Sequence, residues 1–454
     1  MGPEAAPDPE RIAALRALEM ERFVAERPRT MALLERSRRT IPRGVPMSWM
    51  DDLYEHPVVV DRGSGAHFTD VDGHTYLDMY IGDMSGFCGH APAPVLEAVS
   101  RRMALGNHFL LPGEDAIDVA EHLVERYGMP KWQFTLSATQ ANTEVIRLAR
   151  RATGREAVVL FDGKYHGHGD ATLVVLDGDE LQPEMEGLPR WVTGDARIVQ
   201  FNDEAGLAAA LARGDVALVL TEPVMTNTGV IHPIVGFHAA MRRLTREAGT
   251  LLAIDETHSL VGAYGGFTRE LGLEPDLLTI GKSIAAGVPL GAYGMTEAVA
   301  ALIAPPDEAY VATGVFAAEM AIGGTLFANA LSMAAGRAAL LEVLTPEAFT
   351  RTKALGERMA DGLETAIRDA GLPWSVARMG SHAYYGFAPE PALNAIEARA
   401  NDLPDLRAYI RIWMANRGVW ESGWWLGPTV SVAHTADDVD LYIERFAECL
   451  ETFS

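Results

Sequence analysis

Between about residues 90 and 330, short β-rich runs alternate with helical segments. This alternation constrains the chain more than any other feature. The runs fall at 133–136, 157–161, 217–221, 251–255 and 277–280, with helix-like stretches such as 139–152 and 236–248 between several of them. Strands separated by helices predict a mostly parallel sheet covered on both faces. Ligands of such sheets sit at the carboxyl ends of the strands. That rule singles out Ser137, Asp162, Glu222, Asp255 and Lys282, each at or just after a strand end.

The flanking segments read differently. Residues 8–38 carry apolar side chains at helical spacing, interrupted at Pro28, and a small sheet follows in which Asp72-Gly73 is the turn of a hairpin. An Ala-rich helix begins near Ala330, and Thr435-x-x-Asp438 opens the last helix as a capping box. The chain of 454 residues is too long for one ordinary core. The expected division is an N-terminal helical arm and small sheet at 1–89, a large α/β domain at 90–330 and a smaller α+β domain at 331–454. The stretches 178–193 and 389–404, rich in Pro and acidic residues, are expected at the surface.

Composition excludes several classes. Hydrophobic residues at 48% and charged residues at 22% are the mix of a globular protein, and a net charge of -24 argues against a nucleic-acid partner. No apolar run approaches the ~20 residues that span a bilayer. The N-terminal residues carry charge and no apolar signal core, and Cys88 and Cys449 are the only cysteines. The expectation is a cytoplasmic protein without a disulfide framework.

Four segments carry chemistry. In Leu136-Ser137-Ala138-Thr139-Gln140-Ala141-Asn142 a strand meets a helix, and backbone N–H groups there can hold a phosphate; an ordinary N-cap explains the same pattern. In Tyr165-His166-Gly167-His168 an aromatic ring at a strand end can stack on a flat ligand. No Cys/His cluster at zinc spacing accompanies the two histidines, so no metal is expected. Asp255 and Glu256 end a buried apolar strand, where a carboxylate needs a cationic partner such as a protonated pyridine ring. Lys282 ends another apolar strand among small residues, and desolvation turns such a lysine into a nucleophilic amine.

Taken in order, these segments resemble the class III aminotransferases. Ser137–Asn142 is similar to their Ser-Gly-Thr-Glu-Ala-Asn phosphate cup, and Tyr165–His168 to a segment of the glutamate-1-semialdehyde aminomutase branch. Thr221-Glu222-Pro223-Val224, Ile254-Asp255-Glu256, the run 279–294 and the run 323–336 continue the likeness, which spans roughly 40–440. The resemblance implies a pyridoxal 5'-phosphate (PLP) enzyme of fold type I, with a mostly parallel large domain and a smaller α+β domain, active as a homodimer. It implies that Lys282 forms the Schiff base with the cofactor, Asp255 pairs with the pyridine nitrogen and Tyr165 stacks on the ring. Ser137, Ala138 and Thr139 would hold the phosphate, with Thr325 reaching it from the partner subunit. Glu222 and Asn227 would lie near the ring, and Thr257 against its other face.

Departures from the family pattern bear on the substrate. By register, Met50 stands where the aminomutase branch has a carboxylate-binding Arg, Leu426 where it has a Glu, and Ser422 near the switchable Arg of many amine transaminases. Trp49, Met50, Glu421, Trp424 and Trp425 are the candidate substrate-pocket residues, with Arg43 and Arg417 the nearest alternative cations and surface exposure a further reading for Glu421. The expected activity is ping-pong transfer of an amino group from an amine or hydrophobic amino compound to a carbonyl acceptor, the lysine acting as general base. An aminomutase, a PLP-dependent lyase or racemase, and a non-catalytic ligand-binding protein on the same fold are the alternatives.

Overall fold

The computed structural model describes residues 8–52, 54, 56–178, 180–303, 322–422 and 425–453. The chain divides into two compact units: Met1–Pro92 with Glu347–Ala392 and Glu397–Ser454, and Ala93–Pro346 with Leu393–Ile396. Its strands begin with β1 (Val60–Ser64), β2 (His67–Asp70) and β3 (Thr75–Asp78). Next come β4 (Lys131–Thr135), β5 (Ala157–Phe161), β6 (Val174–Asp177), β7 (Glu180–Pro183), β8 (Ala196–Val199), β9 (Val216–Thr221), β10 (Leu251–Asp255), β11 (Leu277–Ile280) and β12 (Gly291–Met295). The last are β13 (Ser375–Met379), β14 (His382–Gly386) and β15 (Val419–Trp420).

The second unit is built on a sheet of order β4-β12-β11-β10-β9-β5-β8. β11, β10, β9, β5 and β8 run parallel, while β12 is antiparallel to both its neighbours. Every residue of β5, β9 and β11 is buried, as expected of strands covered on both faces. β8 and β12 were not among the runs read as strands, since Ala-Arg-Ile-Val is short and Gly-Ala-Tyr-Gly-Met carries two glycines that weaken a strand pattern. The helix Ala138–Thr153 starts at the N-cap Ser137 and stops at Gly154, whose φ of 67° provides the left-handed cap. Its inner face, Ala141, Val145, Leu148 and Ala149, packs into one cluster with Val158, Leu218 and Ala253 of the sheet. Leu148 is fully buried, and truncating such a side chain to Ala costs on the order of 2–5 kcal/mol.

The first unit joins the two ends of the chain. Helices Pro9–Glu26 and Pro28–Ser37 break at Pro28. Buried Arg27 sits at the break, its Nε donating to Tyr76 Oη (2.7 Å), which donates to Asp70 Oδ2 (2.8 Å). β1, β2 and β3 form an antiparallel sheet, and β15 adds to it parallel to β3, with Val419 opposite Leu77. This pairing corrects the three-way division drawn at 1–89, 90–330 and 331–454, because the first and last segments share one unit. The helix Ala330–Ala338 belongs to the second unit, packing on Ala93–Leu105 and Glu114–Tyr127, so the boundary falls at Pro346 instead of 330. The stretch 389–404 is not all surface, since Ala395 is buried. The final helix carries its capping box, with Asp438 N donating to Thr435 Oγ1 (3.2 Å) and Thr435 N to Asp438 Oδ2 (2.8 Å).

Glu421, just past β15, is buried rather than surface-exposed, and accepts a 2.6 Å hydrogen bond from Tyr442 Oη. Burial raises its pKa to about 7 against the lowering effect of Tyr442. The folded state therefore favours the protonated form. That contribution to stability is fully present below the ordinary pKa of 4.5 and is lost as pH rises through about 7. Glu421→Gln should remove this dependence. Melting temperatures of wild type and variant across that window should diverge, with wild type losing stability relative to Gln; parallel curves would refute the assignment.

Candidate active site

Four strand ends of the second unit supply the groups. Asp255 closes β10, Lys282 follows β11 after one residue, Glu222 follows β9, and Ser137 stands just past β4 at the start of a helix. In the register of β10 and β11, Asp255 lies opposite Thr279. Lys282 opens the turn Lys282–Ala285 with φ of 52°, a left-handed conformation that costs a non-glycine residue on the order of 1–3 kcal/mol. Two glycines let the loops close on the helix N-terminus. A Cβ on Gly281 would stand 2.9 Å from Ala138 Cβ, and Gly167, at φ of 92°, lies against Thr139.

Asp255 is buried and held from three sides. Its Oδ2 accepts from Asn142 Nδ2 at 2.8 Å and lies 2.9 Å from His166 Nδ1, and its Oδ1 accepts from the Thr257 amide at 3.0 Å. Asn142 also donates to the His166 carbonyl (2.9 Å) and accepts from Thr279 Oγ1 (2.8 Å). Burial opposes the charge of Asp255, but His166, Thr257 and Asn142 together hold its pKa down to about 2.

Glu222 is its counterpart on the neighbouring strand. Its Oε1 accepts from Asn227 Nδ2 (3.0 Å) and its Oε2 from the Thr226 amide (3.1 Å) and from Thr226 Oγ1. Burial raises its pKa to about 8, Thr226 and Asn227 oppose the rise, and the nearby charge of Asp255 adds to it. Thr226 Oγ1 lies 2.6 Å from His258 Nδ1, and His258 Nε2 is hydrogen-bonded to Lys282 Nζ.

At the helix N-terminus, Ser137 Oγ accepts from Gln140 N (3.4 Å) and Gln140 Oε1 accepts from Leu136 N (3.0 Å). The amides of Ala138 and Thr139 open the first turn, where the helix itself provides no acceptor. Thr139 Oγ1 accepts from His168 N (3.1 Å), which ties the Tyr165–His168 segment to this turn. Tyr165 is partly buried, and Thr325 is exposed on the turn before helix Ala330–Ala338. Ser137, Ala138, Thr139, Tyr165, Glu222, Asn227, Asp255, Thr257, Lys282 and Thr325 thus all lie in the second unit.

The described substrate candidates lie in the first unit. Trp49 and Met50 form the short helix Trp49–Asp52, and Met50 lines a cavity of about 940 Å³ with Tyr54, Tyr80 and Trp420. Arg43 pairs with Asp51 (2.9 Å) and Asp52, and Arg417 with Glu19 (2.9 Å) while covering the Trp413 ring. Ser422 is buried and Trp425 partly buried, whereas Trp424 lies outside the described residues.

The sequence reading missed Asn142, Thr226 and His258 as site residues and considered His166 only as a possible metal ligand. Asn142 closes the cup segment and His258 follows Asp255 by three positions, so adjacency was the available signal. Thr226 carried none. Among the described residues, no group of three or more His, Cys, Asp or Glu side chains is arranged to hold a metal ion, and no helix is long and apolar enough to cross a membrane.

An α/β fold whose parallel strands deliver a lysine, a buried carboxylate and a helix N-terminus to one end of the sheet defines a class of enzyme, and comparison with known proteins specifies it. The family described as aminotransferase class-III matches residues 50–399. The glutamate-1-semialdehyde 2,1-aminomutase 2 of Brevibacillus brevis is 33% identical over 437 residues, covering 94% of this chain and 99% of its own. Among solved structures, a glutamate-1-semialdehyde aminomutase from Pseudomonas aeruginosa PAO1 in complex with PMP is 36% identical, with a TM-score of 0.92 over 99% of this chain and 100% of that one. An omega-transaminase from Sphaerobacter thermophilus is 31% identical, with a TM-score of 0.84 over 93% and 97%. The chain belongs to the class III aminotransferase family. It is an enzyme of that class, which sets aside the non-catalytic alternative, and its cofactor is pyridoxal phosphate. The residues present fit this group: a buried anionic carboxylate suits a protonated ring nitrogen, and two open helix amides suit a phosphate.

Because Asp255 has a lowered pKa, it stabilises the fold above its ordinary value of 3.8, and this stabilisation is lost as pH falls through about 2. His166→Leu removes one of the groups that lower it. Acid unfolding followed by circular dichroism should then move to higher pH, and an unchanged midpoint would contradict the His166–Asp255 contact.

Proposed function

We propose that this enzyme is a transaminase that moves an amino group from an amine or hydrophobic amino compound to a carbonyl acceptor. The observation that carries the reading is Lys282, held in a left-handed conformation at a strand end beside the strand that ends on Asp255. When bound, pyridoxal phosphate supplies an electron sink in its protonated ring. Asp255, anionic over the working pH range, keeps the ring nitrogen protonated. The amides of Ala138 and Thr139 with Ser137 hold the phosphate at the positive end of the helix. Tyr165 and Thr257 would hold the two faces of the ring, and Glu222 and Asn227 would lie near it. Lys282 would hold the cofactor through its amine, and as a free amine it would serve as the general base that moves the substrate α-proton.

The substrate preference rests on charge. Met50 and Ser422 occupy, by register, positions where relatives bind a carboxylate, and neither is charged. Arg43 and Arg417 already have carboxylate partners within this chain. A buried carboxylate without a cation costs several kcal/mol, which supports amines lacking one. A second reading, an aminomutase acting on an α-amino aldehyde acid, is favoured by the names of relatives that match nearly end to end. We extend the proposal to a homodimer in the cytoplasm, in which the exposed Thr325 completes the partner's phosphate site.

Lys282→Ala should abolish turnover while still binding pyridoxal phosphate; repeated turnovers by this variant would overturn the lysine's role. The substrate test compares kcat/KM for 1-phenylethylamine-type amines with that for glutamate-1-semialdehyde and β-amino acids. Amines should win, and a roughly tenfold advantage for the amino acids, about 1.4 kcal/mol, would favour the aminomutase reading. Thr325→Ala should weaken cofactor retention in a dimer measured by light scattering, whereas a fully loaded, active monomer would exclude the shared site.

A further inference from the structure

Lys282 is one end of a buried series of hydrogen bonds that runs through three strand-end loops. Lys282 Nζ bonds His258 Nε2, His258 Nδ1 lies 2.6 Å from Thr226 Oγ1, and Thr226 Oγ1 bonds Glu222 Oε2. Thr226, His258 and Glu222 are all more than nine-tenths buried. Every link joins a group that can both give and take a proton, and an imidazole bonded through both nitrogens is the side chain suited to pass one. The proposed function gives Lys282 the cofactor and the α-proton and sets Glu222 near the ring, and it leaves the hydrogen bonds that join Glu222 through Thr226 and His258 to Lys282 without a task.

We propose that Glu222, Thr226 and His258 form a proton relay to Lys282, so that one proton is shared between the Glu222 carboxyl group and the Lys282 amine. In one state Glu222 is a neutral acid donating to Thr226 Oγ1, Thr226 donates to His258 Nδ1, and the His258 Nε2–H faces the lone pair of a neutral Lys282 amine. In the other, Glu222 has given its proton to Thr226, Thr226 its own to His258 Nδ1, and His258 its Nε2 proton to Lys282. The result is a carboxylate and an ammonium with one neutral imidazole throughout, so protons and charge balance. The first state presents the nucleophilic amine that captures the cofactor, and the second the ammonium that returns a proton.

The surroundings support this sharing. Burial places the Glu222 pKa at about 8, so the carboxyl holds a proton near neutrality but can release it. The charged groups around the relay are Lys282 at one end, which favours the carboxylate, and Asp255 on β10, which favours the acid. His166 is engaged with Asp255, and Asn227, which also holds Glu222, carries no charge. Thr226 and His258 are positioning residues that act through Lys282.

The inference rests on Lys282 being the amine that binds the cofactor, and the test separates the two claims. Pyridoxal phosphate is added to the full-length apoprotein, the linkage is followed by its visible absorbance as a function of pH, and the product is reduced with borohydride and mapped by peptide mass spectrometry. Thr226→Val keeps the shape and removes the hydroxyl, Thr226→Ser keeps the hydroxyl and removes the methyl, and Glu222→Gln keeps hydrogen bonds and removes the transferable proton. With the label on Lys282 throughout, Val and Gln should slow capture near neutrality by roughly tenfold or more and displace its pH midpoint from that of the wild type. Ser should restore both. Wild-type rate and midpoint in Val and Gln, or Ser behaving like Val, would overturn the relay while leaving the lysine assignment intact. A label mapped to another residue would overturn the lysine assignment and the relay with it.

Discussion

The buried carboxylate of Asp255 is the constraint around which the second unit is arranged. A charge taken out of water is tolerated only where donors surround it, and here the donors come from three separate places. Asn142 comes from the helix after β4, His166 from the loop after β5, and the Thr257 amide from the turn after β10 itself. Thr279 of β11 holds Asn142 in turn. Satisfying one carboxylate therefore ties together four strand ends, which also carry Ser137, Tyr165, Thr257 and Lys282. The helix that delivers Asn142 also delivers the open amides of Ala138 and Thr139, so Asp255 and the proposed phosphate site are spaced by a single rigid element.

Lys282 depends on the same frame. Its left-handed backbone is unfavourable in isolation and is held between a close approach on one side and a buried segment on the other. Gly281 lies too close to Ala138 for a side chain, and the segment after Lys282 is buried through Ile284 and Ala285. The fold thus spends backbone strain at the residue to which the chemistry is assigned, a pattern that recurs at functional sites.

Much of this is legible in the sequence alone. Parallel strands buried on both faces are continuous apolar runs, and where such a run ends on Asp255 or is followed by Lys282 the exception marks the site. The N-cap pattern at Ser137 and the capping box at Thr435 were readable because their spacing is local. β12 was not, because the glycine-rich run Gly-Ala-Tyr-Gly-Met lacks the β-branched residues that signal a strand. The joining of both chain ends in one unit was not, because β3 and β15 are more than 300 residues apart in sequence and β15 pairs through only two residues. Glu421 was misplaced for a related reason: a carboxylate reads as a surface group unless its partner is known, and Tyr442 sits on a helix that comes later. Gln140, which stands where the resembled cup has Glu, accepts from the Leu136 amide while its own amide donates to Ser137 Oγ.

Asp255 and Glu222 end adjacent parallel strands, are both fully enclosed, and have been driven in opposite directions, to about 2 and about 8. Chemical identity does not separate them, since both are carboxylates, and neither does burial. The difference lies in what each accepts. Asp255 is held by a side-chain amide, a backbone amide and the His166 imidazole, whereas Glu222 is held by a side-chain amide, a backbone amide and a hydroxyl and feels the charge of Asp255. Burial disfavours the charge at both sites, and at Glu222 the charge of Asp255 adds to that effect. The one with the better donors stays ionised, and the other holds a proton it can release. Environments that push two like groups apart assign their roles. Asp255 is the permanent charge, suited to a fixed cation, and Glu222 the titrating group, suited to exchange with an amine. That Glu222, rather than Asp255, is hydrogen-bonded through Thr226 and His258 towards Lys282 is what this division of labour requires.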